Sequence, residues 1–581
     1  MNSEIDPITL EVIKNALDAI GDEMALTVMR SAYSGIVRDG LDYSTAFCDA
    51  KGRLLAQGVT TPLHLGSFPD AMSNLLGKFE GNIYPGDIFI FNDPYGSGGT
   101  HLPDIYIIKP IFTADTRRGF ACTVAHQTDI GGLVPGSNSI HSTEIFQEGL
   151  CIPTLKLYDR GQLNKAIMDM IAKNVRVPVL VLGDLRAQLS ACAMGENAFL
   201  ELIEKYGPET LETYLEGLIN HTERLVRAEI TALPDGVYKF TDYIDGLGED
   251  PEPIRLHVTL VIEGDHMTVD FEGTSLQVKA GINSPLPFTK SAVYVAIRSV
   301  MGADIPNNVG YFQPITVKAP YGTVVNPKDY APCAVRGITG FRITDAVLGA
   351  LAQVVPEKVP ADGEGGSSLP NIGGFHEGKH FIYVESMMGT RGGCPHRDGE
   401  DGGPHPAANQ TNQPIELIEA TLPLRVERYG LVQDTGGAGK FRGGLALIRE
   451  WRILADEAVL TMRSDKRQVP PYGLQGGKPG TPSLNVLNPG RKDERVLPVL
   501  PMEGVNLRRN DLFRHIMPGG GGWGDPLERD PVQVLKDVLD EKLSVGYVRR
   551  EYGVVIDPER FVIDKEATER LRSDMRGSAR K

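Results

Sequence analysis

Apolar residues near the start of the chain recur at three- and four-residue steps. Leu10, Ile13, Leu17, Ile20, Met24 and Val28 form one stripe, as an amphipathic helix requires. Asp6 suits the N-cap and Pro7 the first helical position, so DPITLEVIKNALDAIGDEMALTVMRSAYS reads as a long helix. A second helical stretch runs over 164–230 and contains GDLRAQLSACAMGENAFLELIEKYG and ETLETYLEGLINHTERLVRAEI. The period then changes to two. GVYKFTDYIDG, IRLHVTLVIEG and HMTVDFEG alternate apolar and polar positions between turn residues, the pattern of a β-meander. TDAVLGALAQVVP reads as a helix closed by proline. From about residue 415, LPLRVERYGLVQDTG, GLALIREWRILADEAVLTMR and ERVLPVLPMEG read as strands joined by glycine-rich turns, and DPVQVLKDVLDEKLSVG as a closing helix.

These elements predict an α+β, β-rich multidomain chain. The expected division is an N-terminal metal-site α/β region over 1–235, a β-meander region over 236–330, a central helix and glycine-rich loop region over 331–415, a C-terminal β region over 416–530, and a helix and tail over 531–581. With 581 residues, one core does not suffice, and about two to four domains are expected.

Composition narrows the partners. A net charge of −16 argues against nucleic acid, which needs a clustered basic face. The one basic cluster, ERLRSDMRGSARK, reads as a solvated tail. No apolar run reaches bilayer-spanning length, and MNSEIDPITLEVI lacks the pattern of a secretory signal. Cys48, Cys122, Cys151, Cys192, Cys333 and Cys394 show no CxxC spacing and read as reduced, mostly buried thiols of a cytoplasmic protein.

The chemistry concentrates in NDPYGSGGTHLPD (92–104) and AHQTDIGG (125–132). Strands are expected over 104–112 and 119–126, with a turn near residue 115. Antiparallel partners then sum to about 230, setting Asp104 opposite His126 with Cβ atoms about 5 Å apart. His101, three residues before Asp104 in a glycine-rich loop, can reach the same end of the hairpin. Two imidazoles and a carboxylate suit Zn, Mn or Fe, and Asp129 offers a fourth ligand or a carboxylate that orients a histidine. The alternative is a set of loop residues that cap strands.

Together LDYSTAFCDAKGRLLAQG, PLHLGSFPDA, GDIFIFNDPYGSGGTHLPD, AHQTDIGG, EIFQEGLCIP, PIELIEATLPLRVERYGL, DTGGAGKFRGG and PGGGGWGDP resemble the B-type subunit of the hydantoinase/oxoprolinase family. The resemblance runs from the first helix to near residue 530. It implies a subunit that carries a divalent metal while an A-type partner binds ATP and Mg and phosphorylates the substrate oxygen. It also implies an A2B2 heterotetramer. The family's ligands fall on His101, Asp104 and His126. Asp42, in LDYSTAF, joins them by resemblance alone.

The implied activity is ATP-dependent ring opening of a hydantoin, 5-oxoproline or lactam by metal-activated water. Asp129 is the first choice for general base and Glu144 a weaker one. A ketone carboxylase subunit and a non-catalytic scaffold are the alternatives. GGAGKFRGG and GLQGGKPG lack the spacing and hydroxyl of a phosphate-binding P-loop and read as turns between strands. His396 and His405, in GTRGGCPHRDGEDGGPHP, invite a second metal site, with a surface loop the simpler reading. His141 reads as a solvated loop histidine or a substrate contact.

Overall fold

The computed structural model describes residues 5–578. The first helix, Pro7–Ser31, forms where its apolar stripe predicts. The Asp6 carboxylate accepts from the Thr9 amide at 2.8 Å, and Ile13, Leu17, Ile20, Met24 and Val28 are buried. It lies against the helix Pro178–Tyr206. Gly195 permits the approach, since a Cβ there would lie 2.5 Å from the Met24 sulfur.

Both helices cover one face of a seven-stranded antiparallel sheet. Its strands are β1 (Tyr43–Asp49), β2 (Leu54–Gln57), β3 (Ile88–Phe91), β4 (Asp104–Thr113), β5 (Thr116–His126), β6 (Leu155–Asp159) and β7 (Gln162–Leu163), in the order β2-β1-β5-β4-β3-β6-β7. A shorter helix, Phe68–Lys78, helps to close the opposite face. Along β4, Ile105 and Ile107 face the long helices, whereas Tyr106 and Ile108 face the shorter one. A strand buried on both faces needs no polar alternation, which explains the unbroken apolar run DIYII.

The expected meander is present as β8 (Gly236–Ile244), β9 (Ile254–Glu263) and β10 (His266–Asp270), joined in parallel by β11 (Ile315–Lys318). The central helix spans Gly337–Leu351, starts earlier than the sequence pattern indicated, and has all 15 of its residues buried. Its glycines explain the difference. At Gly340 a Cβ would lie 2.3 Å from the Phe288 ring and at Gly349 2.6 Å from the Phe240 ring. Close packing against a helix on one side and a sheet on the other uses residues that look like loop in sequence.

Further along come β12 (Leu369–His376), β13 (Lys379–Val384), β14 (Leu424–Leu431), β15 (Leu447–Ile453), β16 (Glu457–Arg463), β17 (Leu484–Leu487), β18 (Arg495–Leu497), β19 (Val505–Arg508) and β20 (Leu512–Ile516). They form two sheets, β13-β12-β16-β19 and β14-β15-β20-β17-β18. The first draws strands from both sides of the boundary expected at 415/416, so that boundary does not separate sheets.

The glycine-rich stretches near 391, 437, 478 and 520 are not simple turns. They lie side by side and bond backbone to backbone, as in Gly393 N–H to Gly521 O at 2.8 Å and Gly437 N–H to Gly520 O at 2.7 Å. A Cβ at Gly480 would lie 1.8 Å from Gly519 O, so only glycine permits this approach.

The expected closing helix ends at Leu539, and the Ser544 hydroxyl caps a second helix, Val545–Tyr552. The basic tail is structured through Ser578 within the helix Lys565–Ser578. Arg572 ties it down by donating to Tyr552 O at 2.9 Å and Arg529 O at 2.8 Å. Its last three residues, 579–581, lie outside the described region. All six cysteines are free, and among the described residues no helix is long and apolar enough to cross a membrane.

Candidate metal centre

The hairpin has the expected register, with Asp104 opposite His126. Strand β1 pairs with the other edge of β5, Tyr43 opposite Ala125, and the His126 amide donates to Asp42 O at 3.0 Å. Three adjacent strand ends therefore bring Asp42, His126 and Asp104 to one edge of the sheet. His101 enters from the loop between β3 and β4.

Donor atoms of His101, Asp104 and His126 lie within 4.8 Å of one another, and all three residues are buried. His101 Nε2 is 3.0 Å from Asp104 Oδ1 and 3.1 Å from His126 Nδ1, and the last two atoms are 3.3 Å apart. The other His101 nitrogen, Nδ1, is 2.7 Å from Ala334 O. A carbonyl only accepts, so Nδ1 carries the proton and Nε2 presents a lone pair. Burial, with the nearby Arg336 guanidinium, pushes the His101 pKa down to about 3, so the ring stays neutral at physiological pH. A lone pair and a carboxylate oxygen thus face each other at 3.0 Å, and a proton on His126 Nδ1 is the one donor the trio has to offer. His126 Nε2 is itself buried without a partner. This acceptor-rich set fits a divalent cation with N/O preference, such as Zn, Mn or Fe.

Residues around the trio fix its orientation. Arg336 Nη2 and the Thr100 hydroxyl both donate to Asp104 Oδ2, and the Arg336 guanidinium lies 4.2 Å from the Phe288 ring centroid. Burial alone would raise the Asp104 pKa, but Arg336, His101 and His64 hold it well below the usual carboxylate value. Glu148 anchors the segment that supplies both Ala334 and Arg336. Its Oε1 accepts from the Cys333 and Ala334 amides, each at 2.9 Å. Burial nevertheless pushes the Glu148 pKa up to about 8.

A cavity of about 40 Å³ opens beside the trio, lined in part by Asp42, His64, His126, Arg336 and Arg463. That volume is room for roughly three waters. Asp42 thus shares the cavity with His126, although its carboxylate is outside the trio of mutually close donors. His64 Nε2 is 3.6 Å from Asp104 Oδ2, and its Nδ1 is 3.1 Å from the Ser44 hydroxyl. Burial depresses its pKa. Arg463 is pushed down to about 10 by burial and by Arg336.

The two residues chosen as general base lie elsewhere. Asp129 Oδ1 accepts from the Gly136 amide at 3.0 Å and from Arg176 Nη1 at 2.9 Å, while Oδ2 accepts from the Arg176 amide at 2.7 Å. Its carboxylate closes the loop after β5 and is already committed. Glu144 is exposed, and among the described residues its side chain forms no hydrogen bond or ion pair. His141 is half-buried, its pKa lowered by burial, and outside the trio. His396 is exposed, whereas His405 is buried with Nε2 2.6 Å from Asp345 Oδ1. The segment that carries them is therefore neither a shared metal site nor wholly a surface loop.

Sequence reasoning missed His64, Arg336, Glu148 and Arg463. Arg336 carried a signal, since it is the one charged residue in the apolar stretch APCAVRGITGF. His64 lies in PLHLGSFPDA, which carried the family resemblance without a role for its histidine.

A family model described as hydantoinase B/oxoprolinase matches residues 6–526. The chain belongs to this family. A Pseudomonas sp. (strain NS671) protein provisionally named as the B component of a D-/L-hydantoinase is 36% identical over 586 residues, covering 98% of each chain. The crystal structure of ATP-dependent caprolactamase from Pseudomonas jessenii superposes with a TM-score of 0.89 at 30% identity, over 98% of this chain and 100% of that one. Nucleotide-free acetone carboxylase shares the fold, with a TM-score of 0.90 at 20% identity over 99% of this chain and 83% of that one.

Proposed function

We propose that this chain is the metal-bearing subunit of an ATP-dependent cyclic amide hydrolase, opening a hydantoin, 5-oxoproline or lactam ring. It works with an A-type partner that binds ATP and Mg, in an A2B2 assembly. The observation that supports this reading is the convergence of two imidazoles and a carboxylate, His101, His126 and Asp104, at one sheet edge, with a lone pair of His101 Nε2 facing Asp104 Oδ1 and His126 Nε2 buried without a partner. Relatives named as a hydantoinase component and an ATP-dependent caprolactamase give the substrate class.

His101, Asp104 and His126 would hold the cation, with Asp42 beside them across the cavity. When bound, a divalent cation here supplies Lewis acidity and makes water nucleophilic near neutral pH. The protein's own groups do the rest. Ala334 O fixes the His101 tautomer, and Arg336 with Thr100 fixes the Asp104 carboxylate. His64 and Asp42 are the proton-carrying groups that face the cavity, and they replace Asp129 and Glu144 as candidates for general base.

The test is ADP release and ring opening by the chain co-expressed with its A-type partner, using hydantoin, 5-oxoproline and caprolactam with and without bicarbonate. Bicarbonate-independent ADP release matched by ring opening, and lost in His126→Ala, is expected. Because the fold is shared with acetone carboxylase, turnover only with bicarbonate and a ketone would move the chain to carboxylation. Metal content of the purified complex decides among Zn, Mn and Fe.

A further inference from the structure

Among the described residues six arginines are buried: Arg336, Arg342, Arg442, Arg449, Arg463 and Arg529. Five have a carboxylate within ion-pair distance, namely Asp104 for Arg336, Asp345 and Asp465 among others for Arg342, Asp401 for Arg442, Glu385 for Arg449 and Asp398 for Arg529. Among the described residues Arg463 has none. It is 5% exposed. Nε donates to Ser367 O at 2.6 Å and Nη2 to Gly366 O at 3.0 Å, and Nη1 donates to no described residue. A buried guanidinium without a counter-anion is costly, and this one lines the cavity beside the trio. Gly337 makes room for it, because a Cβ there would lie 2.7 Å from Arg463 Nη1. Arg336, on the same cavity, keeps its buried Nε without a partner.

Asp104 is taken by Arg336, and the carboxylates that act on Arg463, Asp42 and Glu364, stay beyond ion-pair distance of it. A divalent cation on the trio adds two positive charges, which a compact dianion would neutralise. Paired N–H groups on a planar fork suit the oxygens of a phosphate, and the cavity of about 40 Å³ suits a group of that size.

We propose that Arg463, with Arg336, forms an oxyanion subsite that receives the phosphoryl group of the activated amide. This rests on the hydrolase reading above and names where its intermediate docks. Arg463 is thereby a substrate-binding residue, and Gly337 the position that keeps its Nη1 free.

The test uses the full metal-loaded chain and inorganic phosphate, with binding read by calorimetry and metal content measured in the same samples. Wild type binds phosphate. Arg463→Gln weakens it by about tenfold or more, the scale of a charge-assisted hydrogen bond, while Arg463→Lys loses less and metal content is unchanged in both. In the complex with its partner, Arg463→Gln raises KM alike for caprolactam, which has no carboxylate, and for 5-oxoproline, which has one. Undiminished phosphate binding in Arg463→Gln at full metal content overturns the proposal. So does a defect confined to 5-oxoproline, which would assign Arg463 to the substrate carboxylate. Phosphate binding that depends on Arg463 in a complex that opens no ring would leave the subsite standing and remove the hydrolase reading.

Discussion

Among the described residues two clusters of buried ionisable groups have the spacing of a metal site, and they differ in who supplies the positive charge. One is His101, Asp104 and His126; the other is Asp242, Asp345 and Asp362. In the second, Arg342 Nη1 lies 3.4 Å from Asp242, 3.1 Å from Asp345 and 3.8 Å from Asp362, while Nε lies 2.9 Å from Asp465. Lys466 pairs with Asp362 and lies 3.5 Å from Asp345. The chain's own cations stand where a metal would. Burial still pushes Asp242 up to about 6 and raises Asp362 and Asp465 as well, so protons share in the neutralisation. At the trio, by contrast, Arg336 takes Asp104 Oδ2 and leaves Oδ1 facing two imidazoles. Carboxylate spacing does not identify a metal site by itself. What separates the two clusters is that, among the described residues, no cation of the chain faces Asp104 Oδ1 and the two imidazoles.

The strongest way to break this comparison is to remove the metal. Chelation of the complex, or His126→Ala, is expected to lower turnover by about a thousandfold or more, as loss of a catalytic metal does, with the second cluster untouched. Turnover that survives complete chelation would reduce both clusters to structural charge networks. The next largest effect is on folding. Arg342→Leu leaves four buried carboxylates short of their main counter-charge, and breaking a buried pair typically costs about 3–5 kcal/mol. Thermal unfolding should show a large loss of stability that added metal does not restore. Rescue of Arg342→Leu by a divalent cation would show that the second cluster is a metal site after all.

The two clusters also differ in how far the sequence revealed them. The trio was legible because one hairpin with a short turn carries Asp104 and His126, and its register follows from a sum of residue numbers. The second cluster draws on β8, the central helix, the 362 loop and residues after β16, and nothing local links Asp242 to Asp345 or Arg342. Long-range pairing also hid Asp42, which reaches the site through the contact of β1 with β5, and only the family resemblance found it. Amphipathic elements such as Pro7–Ser31 were readable, whereas the first turns of the buried Gly337–Leu351 helix and the packed glycine backbones were not. Periodicity reports a boundary between core and solvent, and these segments have none.

A sharper test concerns Glu148, which shapes the trio without touching it. Its folded-state pKa, about 8, is above the ordinary carboxylate value. The folded protein therefore binds more protons than the unfolded chain between those limits, and this group's contribution to stability falls as pH rises through that window. Glu148→Gln keeps an oxygen for the Cys333 and Ala334 amides and stays neutral. Its unfolding should lose that part of the pH dependence, while metal affinity falls by about tenfold through looser support of His101. An unchanged pH profile of stability would mean that Glu148 is ionised in the folded protein across the whole range.

The smallest effects separate the trio from its neighbours. Asp129→Asn keeps the shape but puts an NH2 donor in place of one accepting oxygen and loses the ion pair with Arg176. A carboxylate fully enclosed by the loop it ties should cost about 1–3 kcal/mol of stability when altered, with metal content and the pH dependence of kcat unchanged. Glu144 is exposed, so Glu144→Gln should leave turnover within about twofold, as surface substitutions do. The contrast lies in the kinetics rather than the folding. A general base removed at either position would lower kcat at every pH and abolish its acidic limb, whereas a loop tie would shift the melting curve alone. If Asp129→Asn removes that limb in a complex that still carries its full metal, the loop after β5 must move toward the trio during turnover. Asp129 would then displace His64 and Asp42 as the proton carrier.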